Sequence, residues 1–456
     1  MADNILLITA DDHGQWALGA YGNRDVHTPN LDYLANTGAQ MANAFTPTPV
    51  CSPARACLLT GRLASQHGVH DYLSSREPAV HGREWLAGET TLPQMLQAAG
   101  YETALVGKWH LGNDEQPQSG FDSWFALSGD YPTEHGGANR YSDQGRLRTI
   151  AGFKAQVLTD AAISFLRRRE RTRPFFLFLN YVGTHSPWRG QPERLVNHYR
   201  RRRLRDVGEA AYPFGRQALE STLPTRRDAH EALAQYYAAV THLDEGVGRL
   251  MDELEALSLD EATLIVYTAD HGLNCGQHGV WGKGNGTLPL NMLEESIRVP
   301  LIFKQAGRLF GGQRRAEFVD HLDVFRTLAD YAGVPLPRAE QTYAGRSLLP
   351  LLDNSGDGRG WRARQFGEYG NLRMVRSQQF KLVHRYPDGP CELFDLRADP
   401  RETTNLFEDT AYAAVVAALS AEIDAYFGRY EDPVRSGLRV QALPRHNDTE
   451  AWRAAA

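Results

Sequence analysis

Short apolar runs closed by polar residues alternate along most of the chain with stretches of helical period. Ile5–Thr9 is followed by Asp11 and Asp12, and Thr103–Gly107 by Lys108, Trp109 and His110. Phe175–Val182 leads to His185, and Thr263–Thr268 to Asp270 and His271. Apolar runs of this length predict buried strands. Leu92–Ala99, Ala155–Arg169, Ala229–Leu257 and His321–Ala332 carry helical spacing. Strands alternating with helices predict an α/β fold: a large, mostly parallel sheet sandwiched by helices. Ligands bind such sheets beyond the carboxyl ends of the strands. Each polar group named above lies just past a predicted strand. Separate segments therefore deliver carboxylates, imidazoles and ammonium groups to one edge.

The pattern changes after Leu352. Asn354–Gly360 is rich in Gly and Asp and reads as a linker. Met374–Arg376, Phe380–His384 and Glu392–Leu396 predict a short antiparallel sheet, and Ala411–Phe427 a closing helix. The expected organisation is a catalytic α/β domain over 1–353, a smaller C-terminal subdomain over 361–430, and a tail over 431–456. The tail reads as an arm for a partner subunit in a homo-oligomer.

A chain of 456 residues suits one large domain plus a smaller one. The net charge of −6 gives no signal for nucleic acid or an anionic membrane. Cys51, Cys57, Cys275 and Cys391 lack a disulfide-framework spacing and suit a reducing compartment. Met1 runs almost directly into the first strand without a signal-peptide pattern, and no apolar run has the length of a membrane span. The expectation is a cytoplasmic protein with neither nucleic acid nor membrane as partner. Arg167–Arg169, with Arg171 and Arg173, closes a helix and complements its dipole. Arg200–Arg203 with Arg205 reads as a solvated helix face.

Residues 51–61 run Cys-Ser-Pro-Ala-Arg-Ala-Cys-Leu-Leu-Thr-Gly. Pro53 predicts a helix N-terminus, with Cys51 at its positive end, where anions are attracted and thiol pKa values fall. An isolated cysteine there would read equally well as a loop or capping residue. Asp11, Asp12, Asp270 and His271 form a candidate metal set. Hard oxygen donors favour Ca²⁺ or Mg²⁺, and the imidazole shifts the balance towards Mn²⁺. One Asp pair alone also fits turn chemistry and helix capping; Asp270 and His271 after another strand point instead to a cation. Lys283 lies in Gly282–Gly286, a glycine-rich loop of the kind that lets backbone approach an anion.

Cys51, Pro53, Arg55, Thr60 and Gly61 fit the pattern Cys-x-Pro-x-Arg followed by Thr-Gly. Gly107–Gly112, Thr268–Gly272, and Glu392–Leu396 with Asp399, Pro400 and Glu402 follow in order. Over nearly its whole length the chain resembles the formylglycine-dependent type I sulfatases of the alkaline phosphatase superfamily. The resemblance implies an arylsulfatase-like sulfuric ester hydrolase that cleaves a small-molecule or sugar sulfate monoester. It implies that a formylglycine-generating enzyme converts Cys51 to formylglycine. It also implies one divalent ion, Ca²⁺ in most relatives, held by Asp11, Asp12, Asp270 and His271 and touching residue 51. Lys108, His185 and Lys283 would contact the sulfate, with His185 or Lys283 protonating the leaving oxygen. His110 and Arg55 would orient the formylglycine. The aldehyde hydrate would attack sulfur to give a covalent sulfo-enzyme, and its second hydroxyl, deprotonated by His110, would expel sulfate.

His278 also matches a family position, as a contact to the nucleophile's loop or a structural residue. His13 reads as a residue behind the ligands or a plain loop residue. Trp188 and Arg189 are candidate pocket walls. Tyr72, Asp130, Tyr131 and His135 are candidates for substrate choice. His271 departs from the pattern: many sulfatases carry Asn there, whereas the related phosphonate monoester hydrolases carry His. The alternatives are therefore a phosphonate monoester or phosphodiester hydrolase on the same scaffold, and a non-catalytic anion- or metal-binding protein in which Cys51 stays a thiol.

Overall fold

The computed structural model describes residues 3–129, 135–205, 216–217, 229–309, 311–356 and 358–453. Asp130 and Tyr131 lie outside the described residues.

The main sheet has ten strands. They are β1 (Asn4–Ala10), β2 (Ala39–Phe45), β3 (Glu102–Gly107), β4 (Ser123–Leu127), β5 (Ala138–Asp143), β6 (Arg146–Ala151), β7 (Phe175–Tyr181), β8 (Thr263–Ala269), β9 (Leu301–Lys304) and β10 (Gln313–Asp320). Their spatial order is β10-β2-β9-β8-β1-β7-β3-β4-β5-β6. All but β5 and β9 run the same way. The principal helices are α1 (Pro29–Thr37), α2 (Cys51–Thr60), α3 (Leu92–Ala98), α4 (Lys154–Arg168), α5 (Glu193–Arg200), α6 (Ala229–Ala256), α7 (His321–Tyr331) and α8 (Ala413–Tyr430).

Strand β1 explains the layering. Its side chains alternate between two faces, and both faces are covered. Ile5 and Leu7 join a core with Leu58 of α2, Leu96 of α3 and Phe325 of α7. Leu6 and Ile8 join a second core with Leu34 of α1, Leu158 of α4 and Leu243 of α6. Each fully buried side chain of this size contributes about 1.5–3 kcal/mol. A strand buried on both sides must be apolar throughout, which is why its periodicity is invisible and its run is conspicuous.

The expected α/β class is the one observed. The strands at the sheet's margins, β2, β4–β6, β9 and β10, were not anticipated. They mix polar and apolar residues; β6 is mostly exposed.

Residues 365–395 form a four-stranded antiparallel sheet: β11 (Gln365–Tyr369), β12 (Leu372–Arg376), β13 (Phe380–Arg385) and β14 (Glu392–Asp395). Helix α8 packs Leu419, Ile423 and Phe427 against Val375, Leu382 and Leu393. The buried Lys381 ties this sheet to the main domain: Nζ donates to Met292 O at 2.7 Å and Glu294 Oε1 at 3.2 Å, and also pairs with Glu402. The tail, expected as an arm for a partner, packs on its own chain. Asp432 N donates to Ser65 O at 2.9 Å, and Gly437 N to Ser65 Oγ at 2.9 Å. His446 stacks on Trp85 with ring centroids 4.8 Å apart. Among the described residues no helix is long and apolar enough to cross a membrane.

Candidate active site

Strand register builds the site. Ala10 of β1 pairs with Tyr181 on one side and Ala269 on the other, and Gly107 pairs with Asn180. The next residues of three strands thus emerge level with one another. The ladder runs one bond further: Asp11 N donates to Tyr181 O, Asp270 N to Ala10 O and Lys108 N to Asn180 O, at 3.0–3.1 Å. Gly107 is needed there. Its φ is +113°, and a Cβ would lie 2.0 Å from Asn180 O. Asp12 and His110 also have positive φ, 63° and 59°. Asp and His tolerate this region better than most residues, at roughly 1–3 kcal/mol of strain each.

Helix α2 supplies the next part. Cys51 is its first residue and Pro53 its third. The first four helical N–H groups have no partner within the helix, so proline there removes nothing. Arg55 lies four residues after Cys51, hence on the same face. It donates through Nε to Asp270 Oδ2 at 3.1 Å, and through Nη1 to Lys108 O at 3.1 Å and Asn180 Oδ1 at 3.2 Å. Gly61 closes the helix in the left-handed conformation at φ 65°, the usual helix-ending geometry.

Around Cys51 Sγ lie Lys283 Nζ at 3.0 Å, His271 Nε2 at 3.3 Å and Asp11 Oδ1 at 3.4 Å. Lys108 Nζ meets Asp11 Oδ2 at 2.5 Å, and Lys283 Nζ meets Asp12 Oδ1 at 2.6 Å. His271 Nε2 is 3.3 Å from Asp12 Oδ1. His271 Nδ1 lies 2.9 Å from Gly272 O. A carbonyl can only accept, so Nδ1 carries a proton and Nε2 is the nitrogen turned towards Cys51 and Asp12. His185 Nδ1 is 2.5 Å from Ser186 O, so Nδ1 carries a proton. Asp11, Asp12, Cys51 and His185 bring ligand atoms within 4.8 Å of one another, as do Asp11, Cys51, Asp270 and His271.

Burial alone would raise the three carboxyls. Lys108, His185 and Arg55 nevertheless hold Asp11 well below the ordinary range, and Lys283 with His185 and His271 lowers Asp12. Asp270 stays raised, through burial and the Asp11 charge beside it. His110 is driven well below its usual value by burial and by Lys108, and is neutral. Its Nε2 donates to Leu73 O at 3.0 Å, so Nδ1 carries the acceptor lone pair. Three buried carboxylates and two imidazoles, in two overlapping groups that share Asp11 and Cys51, fit a hard divalent cation.

The chain matches the family model described as Sulfatase over residues 3–334. The chain belongs to the sulfatase family. It also matches the family described as N-sulphoglucosamine sulphohydrolase, C-terminal, over residues 276–427. This sulfatase is 28% identical to an N-acetylglucosamine-6-O-sulfatase of Bacteroides thetaiotaomicron over 94% of the chain and 87% of that protein. A solved structure of a protein in complex with its substrate D-glucosamine-2-N,6-O-disulfate is 27% identical. It superposes with a TM-score of 0.82, covering 94% of this chain and 98% of that one. The phosphonate monoester hydrolase of Agrobacterium radiobacter shares the fold, with a TM-score of 0.76 and 23% identity over 93% of this chain and 95% of that one. The sulfatase is thus a sulfuric ester hydrolase of the alkaline phosphatase superfamily.

The remaining candidates divide. His278 Nε2 pairs with Glu295 Oε2 at 2.7 Å, near Glu402 rather than residue 51. His13 is fully buried between Tyr267 OH at 2.6 Å and Ala17 O at 3.0 Å. Trp188 is buried against Tyr236 and Trp281. His135 Nε2 donates to His185 O at 2.8 Å, so it touches the backbone of a site residue. Arg200 pairs with Glu231 and Glu193 on the surface.

Sequence reasoning missed Asn180, Thr9 and Lys154. Asn180 Oδ1 accepts from Arg55 and from Thr9 Oγ1. The signal was available, because each is a polar residue near the end of an apolar strand. Lys154 opens α4 and is buried; burial and Lys108 bring its ammonium down to about 8. Nothing in its surrounding sequence marks it.

Proposed function

We propose that this sulfatase hydrolyses a sulfate monoester of a sugar or other small molecule to alcohol and inorganic sulfate, using formylglycine at position 51. The observation that carries this reading is the ring of groups around Cys51 Sγ: an ammonium, an imidazole nitrogen and a carboxylate, all within 3.4 Å. Sγ marks the place that the aldehyde hydrate's oxygens would take. Asp11, Asp12, Asp270 and His271 would hold the divalent ion, with Ca²⁺ as first choice and Mn²⁺ or Mg²⁺ as alternatives. Bound there, it would make a hydroxyl at position 51 nucleophilic at neutral pH.

The chain's own groups account for the rest. Lys108 and Lys283 set fixed positive charge where negative charge gathers on the sulfate oxygens, in a water-poor site that strengthens it. Lys283, charged because Asp12 outweighs its burial, can give a proton to the leaving oxygen, a role His185 shares. His110 Nδ1 can take the proton of the second hydroxyl as sulfate departs. Arg55 fixes the spacing between α2 and the strand ends. The substrate class follows the relatives, one named for a 6-O-sulfated amino sugar and one solved with a sulfated glucosamine.

A second reading has one observation behind it. His271 stands where the sequence pattern of phosphonate monoester hydrolases has its histidine, and one such enzyme shares the fold. The test is the mass of the residue-51 peptide from protein made in its own host, with parallel assays on an aryl sulfate and an aryl phosphonate monoester. An aldehyde with faster sulfate release supports the sulfatase reading. An aldehyde with phosphonate strongly preferred overturns the substrate. An unmodified thiol with no turnover of either ester overturns the mechanism.

A further inference from the structure

The segment 70–74 runs between the reaction centre and the C-terminal tail, and its polar backbone groups alternate between them. Leu73 N donates to Ser52 Oγ at 3.0 Å, and Leu73 O accepts from His110 Nε2 at 3.0 Å. One residue thus ties Ser52, the neighbour of Cys51, to the imidazole of His110. The flanking groups point the other way. Tyr72 O accepts from Asn447 Nδ2 at 2.9 Å, and Ser74 N donates to His446 O at 2.9 Å. His70 N donates to His446 Nε2 at 3.0 Å, and Tyr72 OH lies 2.7 Å from Thr449 Oγ1.

The tail residues that make these bonds are themselves fixed. His446 and Asn447 have no exposed surface. His446 meets Glu450 Oε1 through Nδ1 at 2.7 Å and through its backbone N–H at 2.8 Å, and it stacks on Trp85. Asn447 Oδ1 accepts from Thr449 N and Oγ1 at 2.8 and 2.9 Å. A backbone held on both edges keeps its register as a strand within a sheet does. Released on one edge, Tyr72 O and Ser74 N would turn towards water, and Leu73 N and Leu73 O, which share their peptide units, would turn with them.

We propose that the C-terminal tail is a positioning element of the active site, in which Asn447 and His446 set the two peptide units that meet at Leu73 and hold Ser52 and His110 in place. Neither tail residue touches the reacting atoms. They act through the backbone of Leu73, so their contribution appears in turnover and shrinks when His110 is absent. The proposal rests on the reading that His110 serves the residue at position 51.

The experiment compares wild type, Asn447→Ala, His110→Ala and the double variant as full-length, formylglycine-bearing protein on an aryl sulfate, well below the unfolding temperature of each. Asn447→Asp is a second probe. It keeps the acceptor for Thr449 and replaces the donor to Tyr72 O by an acceptor. The expected result for either Asn447 variant is a kcat lower by about 10- to 100-fold, the scale of a small misplacement near reacting groups, with KM changed less than about twofold. In the His110→Ala background the same change should cost less than in wild type, because part of its effect runs through the contact to His110. Wild-type kcat in both Asn447 variants overturns the proposal. So does a loss that multiplies with that of His110→Ala, which marks general loosening. His110→Ala at the wild-type rate overturns the reading of His110 instead, and that outcome is separate because it appears without any change to the tail.

Discussion

Arg55 places Nε 3.1 Å and Nη2 3.0 Å from the same oxygen of Asp270, with both side chains buried. The pair fastens the helix that begins at Cys51 to the strand end that bears two of the proposed metal ligands. Removing one partner leaves the other as an uncompensated buried charge. Arg55→Ala should therefore lower stability by about 3–5 kcal/mol, read by urea or thermal unfolding. Arg55→Lys keeps the charge but loses the fork that reaches Asp270, Lys108 O and Asn180 together. It should unfold closer to wild type and still lose at least about tenfold in kcat, because a point charge cannot hold those partners in register. Equal activity in Arg55→Lys would show that charge alone is required.

His271 is the residue on which the choice of ester turns. His271→Asn retains a ligand atom and removes an imidazole whose Nε2 lies 3.3 Å from both Cys51 Sγ and Asp12 Oδ1. The expected outcome is metal affinity changed by about 10- to 100-fold, the range seen when groups at a metal site are altered. The ratio of sulfate to phosphonate turnover should rise. A ratio unchanged from wild type would separate His271 from substrate choice.

Chelation gives an independent readout of the cation. Three buried carboxylates share this site, and Asp270 stays raised by its burial and by Asp11. A bound divalent ion should stabilise the fold by about 2.7 kcal/mol at a hundredfold excess over its dissociation constant. Dialysis against a chelator should lower Tm and abolish turnover, and Ca²⁺ should restore both. A Tm indifferent to chelator and to added Ca²⁺, Mg²⁺ or Mn²⁺ would count against a structural cation.

Away from the site, Asp244 of α6 sets a pH dependence of stability. Its carboxylate accepts from Leu31 N at 2.7 Å and Asn30 Nδ2 at 2.9 Å, yet burial pushes it up to about 6. A carboxyl raised in the folded state binds its proton more tightly there than in the unfolded chain. Its contribution is most favourable below pH ~4 and is lost as pH rises through ~6. The size is on the order of 2–3 kcal/mol at about 1.4 kcal/mol per unit. Asp244→Asn should flatten this fall in urea-unfolding free energy between pH 4 and 7 relative to wild type. An identical slope in the two proteins would place the titration elsewhere.

The central strands and their polar ends could be read from the chain because β1, β7 and β8 are buried on both faces. An apolar run stopping at Asp11 or Asp270 is a strong local signal. Cys51 and Arg55 were legible through the Cys-x-Pro-x-Arg motif, and the structure adds that four residues, about one helical turn, put both on the same face. The marginal strands were not, because β4 to β6 mix polar and apolar residues without a clean alternation. Asn180 carried a weak signal that was passed over. Lys154 carried none, because its burial depends on which segments fold over the start of α4.

The amino-acid sequence by itself determined the fold class, the edge of the sheet that carries chemistry, and the types of group gathered there. Those follow from local burial and from spacing along one helix or strand. The tertiary structure decided which groups meet. Strand register levels Asp11, Lys108 and Asp270, and the carbonyl of Gly272 holds the Nδ1 proton of His271. The tail's place was decided the same way. Nothing within residues 431–456 says that Asn447 will find the carbonyl of Tyr72, because that bond spans 375 positions of chain and exists only once both ends have packed.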